Sequence, residues 1–352
     1  MSRYYSLIKR LLKTYVFNRH VTPKKFMNLV LIAFQHGFIK NSRVLGYPTR
    51  LVIEPINICN LKCPLCPTGQ GNKAQPRGKI RLSDFKLIIN ELGDYLYEID
   101  LFNWGEPFLN PEIYSMVSYA RSKNIRVKIS TNFNTLKPGE IKKIVKSGLS
   151  SIIISLDGAS QESLDKYRTG SNFEKVILNI RALVLEKKKQ NSRYPKIIWQ
   201  FLIMKHNEHE IDKAKKIAEQ LGIEIEFRPV RTDLGKEIFE NDKKKIEDYK
   251  EWLPSRDIYS RFDYKNKKRK VRIKTCMFLW TQSAIGWDGE VFPCCAVYDY
   301  KYSFGNMFKE GRFKNVWNNY KYKEARKMVR TRKITDSSIV CGPCMVNGFI
   351  DF

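Results

Sequence analysis

Cys59, Cys63 and Cys66 fall within eight residues, in the stretch CNLKCPLCPTG. Thiols this close ligate metal when deprotonated. A structural zinc site closes its tetrahedron with four nitrogen or sulfur ligands, yet no fourth Cys or His lies near, the four histidines being at 20, 36, 206 and 209. Three thiolates with a vacancy suit a [4Fe-4S] cluster whose fourth iron stays open to bind something else. Buried structural cysteines of an α/β core would not gather in a proline-containing loop. Five more cysteines, Cys276, Cys294, Cys295, Cys341 and Cys344, all lie in the last 77 residues.

The trio must be positioned by the elements around it. From residue 51, short β-branched runs alternate with helical segments: 51 to 56, 97 to 102, 125 to 130, 151 to 156, 196 to 204 and 223 to 230. Six strands at crossover spacing imply parallel βα units. The fold class expected is α/β, a partial (β/α)6 TIM-like barrel, followed by a small Cys-rich α+β domain. Helix starts are read at Ser83, ahead of Phe85, Ile88, Ile89 and Leu92, and at Pro111, opening a helix from Glu112 to Ser122. The loops after strands one to four carry the trio, NWGEP (103 to 107), STNF (130 to 133) and SLDG (155 to 158). In such a barrel all four share the rim where chemistry gathers.

The expected organisation is a basic helical extension over 1 to 50, the barrel over 51 to 235, a charged, partly helical connector over 236 to 275, and a Cys-rich domain over 276 to 352. The chain has 352 residues and a formal charge of +28, and residues 1 to 50 hold ten Lys or Arg and no Asp or Glu. Tyr4, Ile8, Leu11, Leu12 and Tyr15 recur at helical spacing, with Lys9, Arg10 and Lys13 turned elsewhere. This pattern suits an amphipathic helix on an anionic membrane, or equally a basic helix packed on the barrel. A nucleic-acid partner is not expected, because no recognition-module pattern is present. The apolar run from Met27 to Phe34 is too short to span a bilayer, and no cleavage site follows it. A cytoplasmic location is expected, with peripheral contact on the inner membrane face as its variant.

Cys-x3-Cys-x2-Cys after the first strand, with these rim loops, resembles the signature of the radical S-adenosylmethionine (SAM) superfamily. The resemblance implies that Cys59, Cys63 and Cys66 hold a [4Fe-4S] cluster whose open iron chelates the amino and carboxylate groups of SAM. WGEP resembles the family's Gly-Gly-Glu-Pro loop, implying that Gly105 and Glu106 receive the SAM ammonium. Asn132, Ser155 and Asp157 would meet the ribose and methionyl ends, and the strand-five backbone near Met204 the adenine. Two departures are visible: Leu65 stands where an aromatic is usual, and Trp104 replaces the first glycine of the loop. Cys276, Cys294, Cys341 and Cys344 resemble the C-terminal extension called SPASM, or its shorter form twitch, and fit one auxiliary [4Fe-4S] cluster, with zinc the rival for a four-cysteine site.

A family member of this kind draws electrons from reduced flavodoxin or ferredoxin. It generates a 5'-deoxyadenosyl radical that abstracts hydrogen from the substrate. The substrate expected is a polyhydroxylated, anionic small molecule such as a sugar or cyclitol, free or linked to a lipid or nucleotide, that is oxidised or epimerised. The alternatives are a peptide-modifying SPASM maturase and a non-catalytic iron-sulfur or RNA-binding protein. Cys295, left over beside Cys294, is read as a thiol near the barrel mouth that donates hydrogen to a substrate radical, against a structural thiol or alternative cluster ligand. Arg228, Arg231 and Asp233 lie where a base would be drawn from.

Overall fold

A computed structural model describes residues 20–37, 42–232, 242–270 and 276–347. The basic segment over 4 to 15 and Asp233 lie outside the described residues. α1 (Pro23–Gly37) packs against the segments that lead into the first and third strands. The barrel then follows as β1 (Arg50–Ile53), α2 (Leu82–Leu92), β2 (Glu98–Asp100), α3 (Ile113–Ser122), β3 (Arg126–Thr131), α4 (Glu140–Lys146) and β4 (Ser151–Ser155). It continues through α5 (Gln161–Tyr167), α6 (Phe173–Lys189), β5 (Lys196–Ile203), α7 (Ile211–Leu221) and β6 (Glu224–Pro229). All six expected strands form, and neighbours pair in parallel from β1 to β6.

Strand alternation separates two environments. Leu51, Ile53, Ile99, Val127, Ile129, Ile152 and Ile154 are buried under the helices, which return Phe85, Ile88, Ile89 and Leu92 from α2. Each such side chain contributes about 2 kcal/mol by leaving water. Among the intervening positions, Arg50, Glu98, Asp100 and Lys128 face the lumen and form an ion-pair lattice, Lys128 Nζ lying 3.0 Å from Glu98 and 3.6 Å from Asp100.

α2 begins at Leu82 rather than after Ser83. Its first N–H is capped from outside, Leu82 N donating to Glu112 Oε2 at 3.1 Å, so Ser83 is left inside the first turn. α3 begins one residue past Glu112, which itself donates its N–H to Asn110 Oδ1 at 3.0 Å.

Beyond β6 come α8 (Asp242–Asp248), the small hairpin β7 (Phe262–Asp263) and β8 (Lys268–Arg269), and α9 (Phe278–Thr281). The connector is more than a charged tether. Leu253 and Phe262 are buried with Leu61, Cys63, Tyr167 and Met204 in a second apolar cluster, and Trp252 packs against it. Then β9 (Gln282–Ile285) pairs in parallel with β1, and β10 (Glu290–Phe292) and β11 (Gly305–Asn306) extend the same sheet antiparallel. One nine-stranded sheet therefore runs from β6 to β11, and the C-terminal residues are built onto the β1 edge of the barrel. α10 (Phe313–Trp317), α11 (Tyr320–Thr331) and α12 (Cys341–Val346) complete the chain. Among the described residues no helix is long and apolar enough to cross a membrane.

Candidate iron-sulfur and SAM site

The loop leaving β1 is tied to its neighbours before it carries any cofactor. Asn110, fully buried, donates from Nδ2 to Pro55 O (2.8 Å) and Ile80 O (3.0 Å), and Glu106 N donates to Ile58 O (2.9 Å). A Cβ on Gly105 would stand 2.1 Å from Ile56 O, so only glycine lets the two rim loops touch. A Cβ on Gly69 would meet Cys63 N and O at 2.6 Å, which folds the end of the cysteine loop back onto its middle.

Within this frame Cys59, Cys63 and Cys66 line one cleft of about 140 Å³, together with Trp104, Gly105, Glu106, Ser130, Asn132, Ser155, Tyr167 and Arg168. Burial pushes the Cys59 thiol up to about 11, the N–H of Leu61 pulling the other way. It also raises Cys63, opposed by Arg168. Thiols so placed ionise only when a cation shares the site, the behaviour expected of cluster ligands.

Glu106 Oε1 accepts from Thr131 Oγ1 (2.7 Å) and Phe108 N (3.2 Å), while Oε2 accepts from Asn132 N (2.8 Å). A carboxylate offers about four acceptor positions, so one is left for a donor in the cleft. Asn132 donates to Asn60 Oδ1 (2.8 Å) and reaches Cys59 Sγ at 3.9 Å. The hydroxyls of Ser130 and Ser155 meet at 3.3 Å. Trp104 Nε1 is buried without a hydrogen-bond partner among the described residues. These groups give the cleft donors and acceptors that a polar ligand can use.

Asp157 and Met204 stand elsewhere. Asp157 is fully buried behind the cleft, accepting from Arg168 Nε (2.6 Å) and Leu202 N (2.7 Å). The side chain it presents to the cleft is that of Arg168, which the sequence reading missed. Met204 lies in the apolar cluster behind Cys63, and its N–H donates to Asn207 Oδ1 at 2.8 Å. The Leu202 and Met204 N–H groups are thus both engaged within the fold.

The second cysteine group forms at the opposite end of the sheet. β10 runs antiparallel to β9, so Cys294 and Cys295 emerge beside the N-terminal end of β1. Cys341 senses Cys344, Cys276 and Cys294 as near charges, which puts the four expected thiols in one group. Burial pushes Cys294 up to about 12. Cys295 stays beside Cys294, whose nearest charged neighbour it is, and on its other side it meets Arg231, Asp100 and Arg50; burial raises it. It sits toward the barrel floor, not the mouth, because the strand that delivers it runs downward. The chain then returns to the rim, where Tyr298 meets Trp104 edge-on at 5.1 Å.

Comparison with known proteins identifies two domains. Residues 53–192 match the Radical SAM superfamily model, and residues 276–345 match the SPASM model, an iron-sulfur cluster-binding domain. The chain carries a radical SAM domain followed by a SPASM domain. A mycofactocin maturase, MftC of Mycobacterium tuberculosis, is 24% identical over 316 residues, 86% of this chain and 77% of the relative. An AdoMet-dependent heme synthase of Methanosarcina barkeri is 28% identical over 165 residues, 47% of this chain and 45% of that protein. Among solved structures, SuiB of Streptococcus suis superposes with a TM-score of 0.59 at 15% identity, covering 97% of this chain and 82% of that one.

A radical SAM domain implies SAM and a [4Fe-4S] cluster, and a SPASM domain implies auxiliary iron-sulfur clusters. The donor sets fit. Three thiols line the rim cleft and four lie near one another in the second group, numbers that suit a cubane with one open iron and a closed one.

Proposed function

We propose that this radical SAM enzyme is a maturase that removes a hydrogen atom from a C–H bond of a peptide. Cys59, Cys63 and Cys66 hold the SAM-cleaving cluster, and Cys276, Cys294, Cys341 and Cys344 hold the auxiliary one. The carrying observation is the length of the likeness to mycofactocin maturase, which spans both domains at 86% of the chain, against 47% for the heme synthase. SuiB, whose fold this chain shares, has been solved bound to its precursor peptide SuiA. The preference for a small polyhydroxylated substrate is accordingly revised to second place.

When bound, the cluster and SAM supply a 5'-deoxyadenosyl radical. The chain's own residues do the rest. Gly105 lets the rim loops close on the cofactor. Arg168, held by Asp157, offers a guanidinium to the SAM carboxylate, and the free acceptor position of Glu106 takes the ammonium, both as charge-assisted hydrogen bonds. Asn132, Ser130 and Ser155 orient the remaining polar groups. Trp252, Leu253 and Phe262 keep water from the cysteine loop. Cys295 holds an S–H in the lower lumen, on the side away from the trio; were the reaction an epimerisation, it would give a hydrogen atom to the substrate radical, and one electron from the protein donor with one proton would restore the thiol. The one-electron donor is a low-potential protein of the flavodoxin or ferredoxin kind.

Oxidation or epimerisation of a sugar or cyclitol is the second reading, favoured by the ionic lattice of Arg50, Glu98, Asp100 and Lys128 where a closed barrel would pack aliphatic layers. The test is substrate-dependent release of 5'-deoxyadenosine, comparing short peptides encoded beside the gene with sugar nucleotides and cyclitols. Stimulation by a peptide, with a mass change in it, supports the maturase. Stimulation by sugars alone replaces it with the second reading.

A further inference from the structure

α1 is built inside out. A surface helix ordinarily buries its apolar stripe and exposes its polar one; here Lys25, Asn28 and Gln35 are buried beside Ile32, while Phe26 (42%), Met27 (69%) and Val30 (50%) are exposed. At 3.6 residues per turn, Phe26, Met27, Val30, Ala33 and Phe34 fall within roughly one third of the circumference, opposite the buried polar side chains. The rotation is locked. Lys25 Nζ donates to Asn124 O (2.8 Å), Asn28 donates to Tyr47 O (2.9 Å) and accepts from Tyr47 N (2.8 Å), and Gln35 Oε1 accepts from Leu45 N (2.8 Å). Turning the helix to hide the stripe would break all four bonds and strand polar groups in the interior, at a cost that exceeds the burial gained.

Charge completes the surface. Arg330 of α11 donates to Gln35 O at 3.1 Å, which brings the end of α11 against the end of α1. Beyond Arg330 follow Arg332 and Lys333, both exposed, and one turn before it Lys327, which pairs with Glu324 at 3.4 Å. Lys24 stands at the opposite end of the stripe, paired with Asp94. An apolar stripe with cations at its ends matches the headgroup layer of an anionic bilayer, where apolar side chains enter the acyl boundary and cations meet phosphates.

We propose that the α1 stripe, centred on Phe26, Met27 and Val30, together with the basic end of α11, is a peripheral docking surface for anionic membrane. This surface lies at the end of the barrel where β1 and β3 begin, opposite the rim that carries the cysteine cleft, so it brings the enzyme to a membrane without closing its rim. It stands independently of which substrate the lumen takes.

The test is sedimentation of the full-length, cluster-reconstituted protein with vesicles of phosphatidylcholine alone or with phosphatidylglycerol added. The account predicts binding only to the anionic vesicles, falling as salt rises. Phe26→Asp/Met27→Asp/Val30→Asp should abolish it, and the single Met27→Asp, at the most exposed position, should weaken it severalfold if the triple variant folds poorly. Arg332→Ala/Lys333→Ala should reduce apparent affinity roughly fivefold per charge removed. All variants should keep their iron content and 5'-deoxyadenosine release. Three results would overturn the proposal: no binding to anionic vesicles; binding untouched by the stripe substitutions, which would move the contact to the first nineteen residues; or a dimer in solution that the stripe variants dissolve, which would make a second copy the occupant.

Discussion

At the scale of single residues, the pair Asp157 and Arg168 carries the sharpest prediction. The guanidinium loses solvation by burial, and Asp157 followed by Cys63 more than restores its preference for charge. Arg168→Gln keeps length and polarity but removes the cation facing the cleft. It should raise the KM for SAM at least tenfold with iron content unchanged; an unchanged KM would take Arg168 out of the site. Cys295→Ala should retain both clusters and 5'-deoxyadenosine release but lose deuterium uptake from heavy water into the product. Iron loss in that variant would make Cys295 a ligand instead. Glu54 offers a test by pH. Burial pushes this carboxyl up to about 8 from 4.5, with the N–H of Trp104 pulling the other way. Between about pH 4.5 and about 8 the unfolded chain has released a proton that the folded chain keeps, so stability falls across that window and levels off above it. Denaturant titrations at pH 5 and pH 8 should show this slope in the wild type and a flatter one in Glu54→Gln. Equal slopes would mean that Glu54 ionises normally in the fold.

Elements decide whether those residues meet. Ligand chemistry was legible in the sequence because Cys-x3-Cys-x2-Cys after a β-branched run is a local pattern, as was the alternation that makes β1 to β6. Arg168 was not legible, since its role depends on α5 ending where β4's Asp157 can hold it, a contact across eleven residues with no spacing rule. The direction of Cys295 was hidden for a similar reason: only the antiparallel return of β10 tells that it points to the floor. The connector misled through composition, because its lysines conceal Trp252, Leu253 and Phe262. Those three should shield the cluster, and Trp252→Ala should shorten the lifetime of its visible absorbance in air severalfold; an unchanged lifetime would reduce the connector to a tether. In the C-terminal part, Arg326 lies buried between Trp317 and Tyr322, with guanidinium-to-ring distances of 4.5 and 5.0 Å. It donates from Nε to Leu279 O at 2.8 Å. Arg326→Ala removes that bond and both stacking contacts, and should cost about 3 kcal/mol in unfolding free energy.

At the scale of the whole molecule, the continuous sheet matters most. Because β9 adds to β1 in register, the trio on the rim and the quartet beyond the lower edge are fixed to one framework, and the lumen between them is the space a substrate radical would occupy. Breaking the shared edge should therefore uncouple the two cysteine groups without abolishing either. The central claim is that the trio binds the SAM-cleaving cluster and the quartet a separate one. Its most direct test is iron content together with 5'-deoxyadenosine release, under dithionite and SAM, for the reconstituted wild type, Cys63→Ala and Cys341→Ala. The account predicts about eight irons and release for the wild type, about four and no release for Cys63→Ala, and about four with release retained for Cys341→Ala. Continued release by Cys63→Ala, or four irons in the wild type, would contradict it.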